Sequence, residues 1–268
     1  MSGERTSLPT QLWRLMRLIS HLLQGIVTAT FVLPRSTPEQ RERSIQQWCK
    51  DILVILNIRV VTSGQLPDMR TARTLFVSNH ISWIDIWALK QLHPMRFVAK
   101  SEIRGWPIIG WLAEKSGTLF IARHKRQEIG RMMNNVEQAL SQDDCLCFFP
   151  EGTTTDGTEL KPFKSSLFQA AVNANALVWP LAIHYPNAAG GTNTEVAYYG
   201  DITMQQSLWA VLRQKEIVVE LHFAAPLSAA GQERRHLSHH ARQAIACRLP
   251  LARHKAPETS AGLPDAQH

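Results

Sequence analysis

The chain has 268 residues, of which 44% are hydrophobic, which suffices for one large domain with a buried core. Its formal net charge of +7 indicates an anionic partner: nucleic acid, anionic lipid or a phosphorylated substrate. The sequence has no zinc-finger spacing, no aromatic RNA-binding signature and no clear helix-turn-helix, so nucleic acid is not predicted as a partner and a surface of anionic lipid or a small anionic substrate is favoured.

Residues 1–57 are predicted to form two helices that associate with a membrane. The uncharged apolar run at 18–33 is shorter than the ~20 residues that span a bilayer comfortably. Trp13, Arg14 and Arg17 precede it, a pattern typical of a helix lying in the interface with its basic end at the cytoplasmic surface. Membrane association is therefore favoured, and a soluble core helix, a full span and a signal peptide are the alternatives.

The second helix of this pair is predicted to start at residue 38. Thr37 is a candidate N-cap, and Pro38 suits the first helical position. The helix carries an apolar stripe at helical spacing, formed by Ile45, Trp48, Cys49, Ile52, Leu53, Ile55 and Leu56. The two helices together predict a membrane-docking helical pair ahead of the first strand.

Strands and helices alternate from residue 58 onward, which is typical of an α/β domain. The predicted strands lie at 58–62, 74–77, 95–99, 117–121, 145–149, 176–183, 194–199 and 216–223. Pro180 indicates that the sixth of them lies at a sheet edge or contains a bulge. We predict a single α/β domain over residues 58–250, with a mixed, largely parallel sheet flanked by helices, and a disordered tail over 251–268.

A candidate base lies where the strand at 74–77 gives way to a helix near Trp83. In such a turn His80 can expose one ring nitrogen to a ligand, while Asp85 holds the other nitrogen. On an unbroken helix, residues five apart point about 140° away from each other, so the two side chains meet only if His80 lies in the turn. Alternatively, His80 is a helix-end residue without a catalytic role, and Asp85 is a charge in the first helical turn that the helix dipole stabilises.

Two more polar groups follow predicted strands. Residues 123–126 (R-H-K-R) come after the strand at 117–121, and residues 151–154 (E-G-T-T) come after the strand at 145–149. Open α/β sheets usually place their sites at the carboxyl ends of strands. Each group alone is more often a solvated cluster or a loop, but a base, cations and a glycine-bearing loop together suit a phosphorylated acceptor with a hydroxyl.

Neither a metal nor a bound cofactor is predicted. Cys145 and Cys147 point the same way along a strand but lack further ligands at metal-site spacing, so buried thiols in a reducing compartment are favoured. The sequence also contains no glycine-rich nucleotide loop.

Four sequence blocks, taken in order, resemble the lysophospholipid (1-acyl-sn-glycerol-3-phosphate) acyltransferase family. They are residues 79–85 (N-H-x4-D), 117–123 (G-x-x-F-I-x-R), 149–153 (F-P-E-G-T) and the apolar, proline-containing 178–183. One such motif arises easily by chance, whereas four in the family's order do not. The resemblance covers about residues 70–225.

The resemblance implies transfer of a fatty acyl group from acyl-CoA or an acyl-carrier protein to a lysophospholipid, giving phosphatidic acid from 1-acyl-sn-glycerol-3-phosphate in phospholipid biosynthesis. It implies His80 as the general base and Asp85 as its orienting partner, the catalytic pair, with backbone N–H groups near the His80 turn stabilising the oxyanion. It also implies a location at the cytoplasmic face of the bacterial inner membrane. The implied acceptor-binding residues are Arg123, Glu151, Gly152, Thr153 and Lys164.

One position departs from the family pattern. Members that act on glycerol phosphate commonly carry an arginine directly after E-G-T, where this chain has Thr154. Lys161 or Lys164 could supply the missing charge. A lyso-ornithine-lipid O-acyltransferase is therefore an alternative of the same class. A hydrolase in which His80 activates water and a non-catalytic lipid-binding membrane scaffold are alternatives of other classes.

Overall fold

A computed structural model describes residues 5–68, 70–121 and 126–251. The α-helices in these ranges are α1 (Leu8–Val27), α2 (Pro38–Leu56), α3 (Ile84–Lys90), α4 (Ser101–Arg104), α5 (Ile109–Lys115), α6 (Arg126–Ser141), α7 (Phe168–Asn173), α8 (Met204–Arg213) and α9 (Arg234–Ala246). The strands are β1 (Ile58–Gly64), β2 (Thr74–Ser78), β3 (Arg96–Lys100), β4 (Leu119–Ile121), β5 (Cys145–Phe148), β6 (Leu177–His184), β7 (Ile217–Phe223) and β8 (Leu227–Ser228). Apart from Leu251, the tail predicted for 251–268 lies outside the described residues.

The described strands form one mixed sheet in the order β1-β7-β6-β2-β5-β3-β4, with β8 paired to β6. The β6–β7 and β6–β8 ladders are antiparallel, and the other ladders are parallel. The predicted fold class, an α/β domain with a mixed, largely parallel sheet, is confirmed.

Helices cover both faces of this sheet. Alternate residues of a strand point to opposite faces, and the strands place apolar side chains on both of them. Phe76 and Cys147 pack into a core shared with α1, α2, α3 and α8. Leu75 and Leu146 pack into a second core shared with α6, α7 and α9. The chain therefore forms three layers, and α1 and α9 lie on opposite sides of the sheet.

Pro180 predicted that β6 lies at a sheet edge or contains a bulge, and the edge alternative is wrong, because β6 lies between β2 and β7. The antiparallel pairing along β6 has a gap at Pro180. β8 pairs with Leu177 and Val178 before the gap, and β7 pairs with β6 from Leu181 onward. The Pro180 carbonyl accepts the Ala224 N–H in this gap. The proline nitrogen faces the same side as its carbonyl, so the parallel ladder to β2 keeps all of its donors.

The strand predicted for 194–199 was also wrong. Thr194–Val196 form a 3₁₀ helix, closed by the Ala197 N–H donating to the Thr194 carbonyl. Val196 is fully buried, and the Tyr198 N–H donates to the Ile81 carbonyl. The apolar residues thus pack beneath the His80 turn and do not extend the sheet.

The two N-terminal helices pack against each other. Thr37 caps α2 with Gln40 in a reciprocal capping box, and Pro38 is the first helical residue, as the sequence predicted. The rings of His21 and Trp48 stack with centroids 5.0 Å apart, and each side chain also contacts the other residue's carbonyl. These contacts fix α1 across α2.

The outward face of α1 is apolar and unusually exposed. Its exposed side chains are Leu8, Leu12, Trp13, Met16, Ile19, Leu23 and Val27. The helix continues through a π-helical and a 3₁₀ turn to Arg35, and Leu8–Arg35 is long and apolar enough to cross a membrane by length and composition. A stripe of this kind indicates membrane association.

Candidate active site

The turn between β2 and α3 brings the predicted pair together. His80 lies in the turn and Asp85 in the first turn of α3, and the His80 Nδ1 donates to Asp85 Oδ2 across 2.7 Å. The Asp85 side chain is fully buried, whereas the His80 ring is 19% exposed. This is the arrangement that the five-residue spacing required, with one ring nitrogen engaged and the ring still reachable from solvent.

The Asp85 carboxylate receives three hydrogen bonds besides that of His80. Oδ2 accepts the N–H groups of Ile81 at 2.8 Å and Ser82 at 2.9 Å, and Oδ1 accepts the Tyr185 hydroxyl at 2.6 Å. A buried anion is costly unless its lone pairs are satisfied. Tyr185 was missed by the sequence reasoning, because nothing local relates it to a residue 100 positions earlier.

Phe149 fixes the plane of the His80 ring. The two rings stack with centroids 3.8 Å apart and planes 7° apart, and Phe97 lies behind Phe149 with a centroid distance of 6.2 Å. Because Nδ1 is bonded to Asp85, Nε2 is the nitrogen left to take a proton from a ligand. The arrangement suits a general base.

Glu151 connects the loop after β5 to the same turn. Its Oε1 accepts the His80 N–H and its Oε2 accepts the Lys161 N–H, both at 2.9 Å. The residue is only 4% exposed, and burial raises the pKa of its carboxyl to about 7 against these two hydrogen bonds. The Glu151 carboxyl group therefore binds the backbone N–H groups of His80 and Lys161. It would shape an acceptor pocket by fixing the backbone at these two residues.

This pKa predicts a stability difference that depends on pH. Ionising Glu151 in the folded state is unfavourable, so stability is greatest below the unfolded pKa of 4.5 and falls as the pH rises to about 7. We expect the unfolding free energy of the wild type, relative to Glu151→Gln, to fall by on the order of 3 kcal/mol over this window. Urea unfolding at several pH values measures it. The exposed Glu233→Gln serves as control, and a flat difference for Glu151→Gln contradicts the assignment.

The other residues predicted to bind the acceptor lie on the loop after β5, except Arg123. Gly152 has a φ of 78°, which favours glycine, and its N–H donates to the Phe149 carbonyl. Thr153 and Lys164 are exposed on the same loop. Thr154, which departs from the expected family pattern, donates its hydroxyl to the Tyr198 carbonyl. Arg123 lies outside the described residues.

Backbone N–H groups near the His80 turn were expected to stabilise the oxyanion, and three amides of this turn are bonded to carboxyl groups. The His80 N–H donates to Glu151, and the Ile81 and Ser82 N–H groups donate to Asp85. These three amides therefore stabilise the two buried carboxyl groups, and any oxyanion donor among the described residues of the turn would have to be another N–H.

Comparison with known proteins gives concordant matches. A family model described as Acyltransferase matches residues 57–184. The 1-acyl-sn-glycerol-3-phosphate acyltransferase of Neisseria meningitidis is 32% identical over 242 residues, covering 88% of this chain and 91% of the relative. The lyso-ornithine lipid O-acyltransferase of Pseudomonas aeruginosa is 35% identical over 254 residues, covering 92% and 95%.

A solved structure shares the fold. The 1-acyl-sn-glycerophosphate (LPA) acyltransferase PlsC from Thermotoga maritima superposes with a TM-score of 0.68 at 16% identity, over 90% of this chain and 95% of that one.

Proposed function

The chain belongs to the lysophospholipid (1-acyl-sn-glycerol-3-phosphate) acyltransferase family, and on that premise we propose that it moves a fatty acyl group from an acyl thioester to the free hydroxyl of 1-acyl-sn-glycerol-3-phosphate. The product is phosphatidic acid, in phospholipid biosynthesis. The donor is acyl-CoA or an acylated carrier protein, and no bound cofactor takes part. The observation that carries the proposal is the His80–Asp85 pair, in which Nδ1 is bonded to Asp85 and Nε2 has no hydrogen-bond partner among the described residues.

In the proposed reaction, His80 Nε2 removes the proton of the acceptor hydroxyl as its oxygen attacks the thioester carbonyl. The tetrahedral intermediate collapses by breaking the carbon–sulfur bond, and the imidazolium returns its proton to the leaving thiolate. Asp85 stabilises the imidazolium that forms in between. Ser82 is fully buried, so its hydroxyl does not act as the nucleophile, and the acceptor hydroxyl attacks the thioester directly.

The acceptor headgroup is the finer part of the proposal. Arg123 and Lys164 would bind the phosphate by charge-assisted hydrogen bonds. Gly152 and Thr153 would form the part of the loop that lies beside the phosphate. Thr154 favours a second candidate acceptor. Its side chain is uncharged and its hydroxyl is bonded to the Tyr198 carbonyl, so Thr154 supplies no positive charge for a phosphate headgroup. That candidate is a lyso-ornithine lipid, the acceptor named for the Pseudomonas aeruginosa relative.

The test is an assay of the purified full-length protein in detergent with each lysolipid and each donor. We expect the diacyl product from 1-acyl-sn-glycerol-3-phosphate, and Arg123→Ala should raise the KM for this acceptor with a smaller effect on kcat. Preference for lyso-ornithine lipid would replace the headgroup assignment. Free fatty acid without diacyl product would instead indicate a hydrolase, and no turnover of any substrate a lipid-binding scaffold.

We further propose that the exposed stripe of α1 lies in the cytoplasmic face of the bacterial inner membrane, against anionic lipid. Placing aspartate at Ile19 and Leu23 together should weaken vesicle binding by ~100-fold, because each apolar side chain contributes ~1.5 kcal/mol or more when buried. Co-sedimentation with vesicles containing phosphatidylglycerol measures it. The matched control places aspartate at His239 and Gln243, which are exposed on α9, across the sheet. Equal losses in the two double variants would count against the stripe.

A further inference from the structure

Tyr185 is a buried phenol aimed at the partner of the proposed base. It follows β6 directly, is fully buried, and donates its hydroxyl to Asp85 Oδ1 across 2.6 Å. Burial beside Asp85 raises the pKa of this phenol well above its ordinary value, so it stays protonated and remains a donor. A tyrosine placed only to fill space would not need this hydroxyl.

The two oxygens of Asp85 have different partners. Oδ2 serves His80 and two backbone amides, while Tyr185 is the partner that the described residues provide for Oδ1. The amides sit on the turn that carries His80, whereas the phenol reaches the carboxylate from a different strand. Rotation of the carboxylate would break bonds at both oxygens, so Tyr185 locks its plane from the far side.

The backbone around Tyr185 is itself fixed to the His80 turn. The Asn79 side chain donates to the Ile183 carbonyl and accepts the Ile183 N–H, both at 2.8 Å. The Tyr185 carbonyl accepts the Asn193 N–H at 2.7 Å. The phenol oxygen therefore has little freedom to move relative to Asp85.

We propose that Tyr185 is a positioning residue for the general base. It holds the Asp85 carboxylate in the plane that keeps His80 Nε2 turned to the acceptor. It also disperses the charge of Asp85, so that the carboxylate does not hold the imidazolium too tightly to release its proton. The catalytic part of this proposal rests on the proposed function, while the effect on His80 can be measured without turnover.

Tyr185→Phe tests the proposal because it removes one oxygen and keeps the ring. We expect kcat to fall ~10–100-fold, with the KM values for acceptor and donor within about twofold of the wild type. Without the phenol, Asp85 pairs more strongly with the imidazolium. The acid limb of the rate profile and the NMR titration of the His80 ring should therefore both move to higher pH.

Two control variants separate positioning from general stability. Tyr199→Phe removes the hydroxyl of a tyrosine that is 39% exposed, and Val136→Ala opens a small cavity in the core on the opposite face of the sheet. Both should retain the kcat, the rate profile and the His80 titration of the wild type. A kcat loss in Val136→Ala equal to that in Tyr185→Phe would overturn the proposal.

The His80 titration also separates this proposal from the proposed function. An unchanged midpoint in Tyr185→Phe overturns the positioning role, whatever the activity. A wild type that transfers no acyl group to any acceptor overturns the proposed function, and the midpoint then still decides whether Tyr185 acts on His80 through Asp85.

Discussion

His80→Ala is expected to lower kcat for acyl transfer by on the order of 10²–10⁴-fold while the protein stays folded, because the imidazole is the proposed proton acceptor. The ring is 19% exposed and stacks on Phe149, so its removal should cost only about 1 kcal/mol of stability. Steady-state kinetics with saturating lysolipid and thioester measure the first effect, and urea unfolding measures the second.

A matched control for this variant is His239→Ala, an exposed histidine on α9. It should retain full activity. Retention of more than half of the wild-type kcat by His80→Ala would remove the base from the proposed mechanism, even if the family assignment stands.

Asp85→Ala is expected to cost both activity and stability, the latter by about 3–5 kcal/mol. The change leaves the N–H groups of Ile81 and Ser82 and the Tyr185 hydroxyl without their acceptor inside the core. It also removes the partner that orients His80, so kcat should fall nearly as far as in His80→Ala.

Denaturant unfolding and kinetics of the same preparation check the Asp85 variant. Asp85→Asn should lie between alanine and wild type in stability, because the amide oxygen keeps one acceptor but its NH₂ group then faces donors. Asp201→Ala, at an exposed position, is the neutral comparison. A stability loss of less than about 1 kcal/mol in Asp85→Ala would mean that the buried bonds contribute little.

Local patterns predicted the parts of the site that are close in sequence. The apolar run of β2, the polar turn and the start of α3 indicated how His80 and Asp85 meet, because each step depends on neighbouring residues. Four motifs in order predicted the family. The strand positions largely followed from apolar runs bounded by turns.

The remaining features depend on contacts between distant segments. Tyr185 reaches Asp85 only because β6 lies beside β2, and no spacing in the sequence encodes that neighbourhood. Glu151 was predicted to shape the acceptor pocket, but its two oxygens bond backbone N–H groups at residues 80 and 161. Pro180 predicted an edge or a bulge in β6, because the gap between its pairing with β8 and its pairing with β7 is visible only in the assembled sheet.

The position of β7 has a consequence for how this chain is made. β7 lies between β1 and β6, and Ile58 pairs with Ile217, so β1 has no ladder partner among the described strands until the last quarter of the chain is synthesised. Sheets closed by such distant segments fold slowly, since the intervening chain must be ordered first. The edges of β1 and β6 stay open on the ribosome while the apolar α1 has already emerged. The order of synthesis therefore leaves the sheet in two parts until β7 pairs with both β1 and β6.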